Sequence, residues 1–163
     1  MSSDPPTWLT PEQSRAWLAY MRVSLRMTYE MNRQLQDHTG LSLADYHVLV
    51  ALSEARDGRV QLSDLAARIG WERSRASHHL LRMCRRGLVA REPSTTDRRA
   101  TDAVLTDAGR TALVAAAPGH AQHVRRLFFD GIDDQLLVPL RQALEQAYCG
   151  VADNGTLPRP SGR

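Results

Sequence analysis

A mainly α fold with a small β-hairpin wing is what this sequence predicts: a helix-turn-helix with a hairpin behind it, held in a frame of long helices. Three observations carry that expectation. Residues 62–109 read as a short helix, a glycine turn at Gly70, an arginine-rich second helix, and a hairpin with Asp97, Arg98 and Arg99 at its tip. Apolar residues on both sides of this unit recur at helical spacing over much longer stretches. Nine arginines fall between Arg68 and Arg99 against Glu72, Glu92 and Asp97, a surplus of six in a chain of net charge +3, so positive charge is concentrated in one segment.

Taken in order, Thr10-Pro11-Glu12 fits a cap followed by proline at the first helical position, opening a helix that runs to about His38 through Trp17, Leu18, Met21, Leu25, Tyr29 and Leu35. Thr39-Gly40 stops it. Ser42 caps a second helix to Ala55, with Asp45 at the capping-box position and Tyr46, Leu49, Val50 and Leu52 inward. Val60-Gln61 is a candidate short strand before Ser63, which is expected to cap a helix from Asp64 to Ile69. The next helix, from Glu72 or Arg73 to Arg86, ends at Gly87. Leu88–Glu92 and Asp102–Leu105 are the hairpin strands. Thr106 caps a further helix to Phe129, with a kink or break expected at Pro118-Gly119. Asp133-Asp134 open a last amphipathic helix that ends near Tyr148, with a bend expected at Pro139. The organisation expected is a flexible arm over 1–10, a single domain over 11–149, and a disordered tail over 150–163.

Composition bounds the class. With 163 residues, 42% of them hydrophobic and 24% charged, the chain buries a core without staples and is neither disordered nor fibrous. No apolar run approaches the roughly 20 residues that span a bilayer, and the N-terminus lacks the basic-then-apolar pattern of a secretion signal. Cys84 and Cys149 form no disulfide framework. Cytoplasmic residence is expected. All 21 basic side chains are arginine, a bias that reflects genome composition more than function.

On a helical wheel, Arg75, His78, Arg82 and Arg86 fall within a sector of roughly 80°, with His79 and Arg85 at its edges and Ala76, Leu80 and Met83 turned away. Guanidinium and imidazole groups on such a face donate to base edges, and arginine grips guanine bidentately. N-terminal residues of a recognition helix lie deepest in the groove. Base reading is therefore assigned to Ser74, Arg75, Ser77, His78 and His79, with Arg73 beside them at the helix start, and phosphate contact to Arg82 and Arg86. At the hairpin tip Arg98 and Arg99 suit a narrow minor groove, while Asp97 suits orienting one of them, since phosphate repels a carboxylate. A solvated basic face is the ordinary meaning of such a stripe; the preceding helix and glycine turn argue for DNA.

These residues resemble the winged helix-turn-helix of the multiple-antibiotic-resistance regulator (MarR) family. The resemblance spans about residues 12–149 and is most specific at LSDLAARIG (62–70), RGLVAREP (86–93) and DRRATDAVLTDAGR (97–110). The last matches the family's Asp-x-Arg…Leu-Thr-x-x-Gly wing signature through Asp97, Arg99, Leu105, Thr106 and Gly109. The resemblance implies an obligate homodimer joined by dimerisation helices at 11–39 and 107–149 around a winged helix-turn-helix at 42–106. Each unit would read half of a palindromic operator, and a small effector, often an anionic aromatic compound, would release a repressor from DNA. The family commonly has branched aliphatics where this chain has Ala76 and His79; Ala76 still packs, whereas His79 faces either core or groove.

Leu18, Met21 and Leu25 near one end, with Leu127, Phe128, Leu136, Leu137, Leu140 and Leu144 near the other, are the dimer-core candidates. Arg22, Arg26, Tyr29, Tyr46 and His47 are the effector-binding candidates, with Arg26 and Tyr46 suited to a carboxylate on a ring. Redox sensing at Cys84 or Cys149, and zinc at His120 and His123 with His38 or His47, are alternative switches on the same fold; no cofactor or resident metal is expected. A winged helix that binds protein rather than DNA is a further alternative. No nucleophile–histidine–acid set or phosphate-cradling glycine loop stands out, so the chain is not expected to be an enzyme.

Overall fold

The computed structural model describes residues 8–95, 97 and 99–161. Its order is α1 (Pro11–Thr39), α2 (Leu43–Ser53), β1 (Arg59–Gln61), α3 (Leu62–Arg68), α4 (Arg73–Arg85), β2 (Val89–Pro93), β3 (Thr101–Leu105), α5 (Asp107–Val124), a π turn (Arg125–Phe129), a 3-10 turn (Asp134–Leu136) and α6 (Leu137–Asn154).

The helix starts follow the caps. Thr10 and Gln13 form a reciprocal capping box ahead of Pro11. Ser42 and Asp45 form another, Ser42 Oγ accepting from Asp45 N–H at 3.0 Å and Asp45 Oδ2 from Ser42 N–H at 2.9 Å. Asn32 Oδ1 accepts from Leu43 N–H at 3.0 Å, which ties α1 to the start of α2. Gly70, at φ +70°, makes the reversal between α3 and α4, a left-handed conformation that favours glycine.

β1 joins the hairpin, so the sheet is antiparallel in the order β1-β3-β2, with Val60 opposite Ala103 and Arg91 also opposite Ala103. Arg59 braces it, pairing with Asp102 on β3 at 3.3 Å and with Glu92 on β2. The core lies between this sheet and α2, α3 and α4: Leu49, Leu52, Leu65, Leu80, Met83 and Ala103 are all but sealed from solvent. Leu35 of α1 and Ala116 of α5 close it from the far side. Thr106 Oγ1 accepts from Gly109 N–H at 3.0 Å and donates toward the carbonyls of Gly87 and Leu88. A Cβ on Gly109 would strike the Leu88 carbonyl oxygen. The Leu-Thr-x-x-Gly signature is thus the seam where α5 leaves the wing.

Several sequence expectations are corrected. Gln61, not Ser63, occupies the N-cap of α3, and Ser63 Oγ donates to the Gln61 side chain instead. α5 continues through Pro118 without a break. Pro139 sits in the first turn of α6, where its missing N–H costs nothing. The tail expected to be disordered from Gly150 is helical to Asn154, whose Nδ2 donates to the Gly150 carbonyl at 2.8 Å. Beyond it, Ser161 N–H donates to Asp64 Oδ1 at 2.5 Å and its carbonyl accepts from Arg68 at 3.1 Å, so polar contacts with α3 hold this segment. Of the expected arm, residues 1–7 lie outside the described residues. No helix among the described residues is long and apolar enough to cross a membrane.

Candidate nucleic-acid interface

α4 separates its two faces as its spacing requires. Ala76, Leu80 and Met83 are buried, whereas Arg73, Ser74, Arg75, His78, Arg82, Arg85 and Arg86 are exposed and Ser77 is half-buried. The interior anchors the helix through one side, and the other presents its cationic side chains outward.

His79 departs from that set. It is 8% exposed and belongs to the interior, which closes the alternative left open by the sequence and removes it from the expected base-reading residues. Its Nε2 lies 2.9 Å from Asp45 Oδ1, a close approach that is poorly directed for a hydrogen bond. Its Nδ1 accepts from Arg82 Nη2 at 2.9 Å. Its ring and that of Trp71 meet in a T-shaped contact, centroids 5.2 Å apart. The imidazole turns inward here because α4 supplies a guanidinium to its Nδ1 and α2 brings an acid close to its Nε2, which an apolar neighbourhood would not.

Arg86, expected at phosphate, is engaged with protein: Nη1 donates to Asp45 Oδ2 at 2.6 Å and Nη2 to the Gly40 carbonyl at 2.9 Å. Burial pushes the Asp45 carboxyl up, but His79, the Ser42 N–H and hydroxyl, and Arg86 outweigh it and hold the group well below the usual carboxylate range. Arg75 stacks its guanidinium carbon 4.3 Å over the Trp71 ring. Asp45 and Trp71 are functional neighbours that sequence reasoning missed. Asp45 was legible only as a cap; Trp71, four residues before Arg75 and just past the glycine turn, carried the signal of an aromatic platform.

At the wing tip Asp97 Oδ1 accepts from the Arg99 backbone N–H at 2.9 Å and the Asp97 carbonyl from Ala100 N–H at 2.9 Å. Asp97 therefore folds the turn through the Arg99 backbone. Arg99 is exposed. Arg98 lies outside the described residues.

The five effector candidates divide. Arg22, Arg26 and Tyr29 line one open groove with Leu25 on α1. Tyr46 instead packs on His120 of α5, ring centroids 4.4 Å apart. His47 lines a separate cavity of about 350 Å³ with Ile69, Arg68, Tyr148 and Ser161. Burial, then the charges of His47 and His123, push the His120 imidazole down. No cluster of three or more His, Cys, Asp or Glu able to hold a metal occurs among the described residues. Both cysteines are free, and burial pushes the half-buried Cys84 thiol up despite the opposing charge of Arg91, away from the thiolate a redox sensor uses.

The apolar surface at the chain ends is uncovered. α6 carries no buried residue, and Leu18, Leu25, Leu127, Leu136 and Leu144 are all exposed, while Met21, Phe128, Leu137 and Leu140 are half-buried.

A family model for the MarR family matches residues 39–100, the segment from the end of α1 to the wing tip. The fold is similar to that of AbsC, a MarR family transcriptional regulator from Streptomyces coelicolor, at 36% identity over 91% of this chain and 99% of that one, TM-score 0.83. It is also similar to Sco3205, a MarR family regulator from the same organism solved in complex with DNA, at 32% identity over 96% of this chain and 99% of that one, TM-score 0.87. Among curated proteins, the transcriptional repressor YetL of Bacillus subtilis (strain 168) is 26% identical over 119 residues, 73% of this chain and 71% of that protein.

Proposed function

We propose that this chain, which belongs to the MarR family of DNA-binding, winged helix-turn-helix transcriptional regulators, acts as a homodimeric repressor on a palindromic operator and is released by a small anionic aromatic effector. Its relatives are regulators and not enzymes, and so is this chain. The observation that carries the reading is the exposed cationic face of α4, with its apolar face buried behind it. Arg73, Ser74, Arg75, Ser77 and His78 read base edges in the major groove, Arg82 reaches a base edge or phosphate beside them, and Arg99 enters the adjacent minor groove. The likeness to a DNA-bound structure supports duplex DNA as partner, and the likeness to YetL supports repression.

Homodimerisation follows from the exposed leucines of α1 and α6: two copies cover one another's apolar surface and set two α4 helices about one DNA turn apart. For the effector, the Arg22, Arg26 and Tyr29 groove offers two cations beside an aromatic ring, which suits a carboxylate on a ring. A ligand that fits only the conformer with mismatched helix spacing draws the population off DNA by its differential affinity. The test is selection of bound duplexes from a random pool, followed by challenge of the complex with aromatic acids. A two-fold symmetric consensus, released by such an acid and blunted in Arg75→Ala, is expected. Equal binding of all duplexes would overturn base reading, and indifference to every acid would overturn the effector class.

A further inference from the structure

The reading head of this protein has a second layer. Arg75 and Arg82 both point donors outward, yet neither is unsupported: Arg75 lies 4.3 Å over Trp71, and Arg82 donates to His79 Nδ1 at 2.9 Å. Trp71 and His79 touch each other edge to face at 5.2 Å. His79 in turn sits 2.9 Å from Asp45, whose other oxygen holds Arg86. Three arginines of one helix face are thereby indexed to a single interior chain, Trp71–His79–Asp45, that runs from the α3–α4 turn to the cap of α2.

We infer that the Trp71–His79 pair is a positioning device that presets the reach of Arg75 and Arg82, so that His79 contributes to base selectivity without touching DNA. The inference rests on the reading that α4 faces a duplex. Its physical basis is the flexibility of arginine. A free guanidinium on a long stem loses rotamer freedom on binding, and one already held in its bound geometry loses less. A guanidinium only donates, so the nitrogen facing Arg82 is the unprotonated one, and the N–H of His79 faces Asp45. The tautomer that turns its N–H side toward Asp45 is thus the one that steers Arg82. An apolar side chain would fill the same volume without a desolvation cost; what the imidazole adds is an acceptor aimed at an outward arginine.

The test uses the full-length protein and the duplex selected by the wild type, with fluorescence anisotropy on that duplex, on single-base-pair variants of it and on random sequence. Arg75→Ala and Arg82→Ala first mark the base pairs each arginine reads. His79→Gln removes the acceptor beside Arg82 and is expected to lower discrimination at the Arg82 base pair about tenfold, with random-sequence affinity and its salt slope unchanged. His79→Asn, whose Oδ1 stands where Nδ1 stood, should restore it, and Trp71→Leu should lose discrimination at the Arg75 base pair. Loss shared equally by all duplexes, or wild-type discrimination in His79→Gln while the arginine variants lose theirs, overturns the positioning role alone. Arg82→Ala that weakens all duplexes alike places Arg82 at phosphate and overturns the role of His79 in selectivity; Arg75→Ala and Arg82→Ala that leave both base preference and duplex affinity intact sink the duplex reading and this inference with it. Side-chain NMR of the free wild type needs no folded variant: restricted Arg75 and Arg82 Nε–H signals support the device, and averaged ones overturn it.

Discussion

The Asp45 carboxylate accepts from Arg86 at 2.6 Å while it caps its own helix at Ser42, so one side chain fixes both the start of α2 and the far end of α4. The carboxyl is 4% exposed and its pKa lies below the ordinary range, so the folded state binds fewer protons there than the unfolded chain. Its contribution is complete above the unfolded value of about 4 and is lost as pH falls below it toward the lowered folded value. Asp45→Ala should cost about 2–4 kcal/mol at neutral pH. In denaturant titrations from pH 6 down to pH 2, the wild type should lose more stability than Asp45→Asn; parallel curves would show that the pairing contributes little.

Gly109 meets the Leu88 carbonyl where any side chain would collide with backbone, and backbone yields poorly. Gly109→Ala should destabilise by about 1–3 kcal/mol in chemical denaturation. The same exchange at the solvent-facing Gly131, which has open space around its Cβ position, should change little.

Arg99 stands exposed on a turn that Asp97 closes through backbone, so its guanidinium is presented without being consumed. Arg99→Ala should weaken operator binding and reduce the slope of log affinity against log salt by about one, with major-groove preference retained. Unchanged affinity would mean that the wing tip does not reach DNA.

Leu25 and Leu144 are 67% and 47% exposed in the single chain, so charge placed there leaves the protomer's own core intact. Leu25→Arg combined with Leu144→Arg should turn a dimer into monomers in sedimentation and abolish tight operator binding, with far-ultraviolet dichroism retained. A persistent dimer would place the interface elsewhere.

Most of what was legible in the residues had a local cause, although the cap of α3 was expected at Ser63 and lies at Gln61. Thr10, Ser42 and Thr106 announce their helices because caps act within four residues, and the α4 faces separate because a helix has a fixed period. Less local features were misjudged. Pro118 does not break α5, because neighbouring elements hold a helix that propensity alone would interrupt; the strand expected at Val60-Gln61 does form, but its partner, 43 residues away, is beyond what local pattern tells. His79 is the instructive case: at the edge of the cationic sector its direction is undecided by period. Only the approach of Asp45 from α2 and Trp71 from the turn makes the interior a better place for an imidazole than the solvent. Arg86 is drawn from the outer face to protein by the same carboxylate. Period and capping, acting over a few residues, decide which elements form and which faces they offer; where a borderline polar side chain ends depends on a partner distant along the chain, because its charge is satisfied only once the fold has brought that partner within hydrogen-bonding reach.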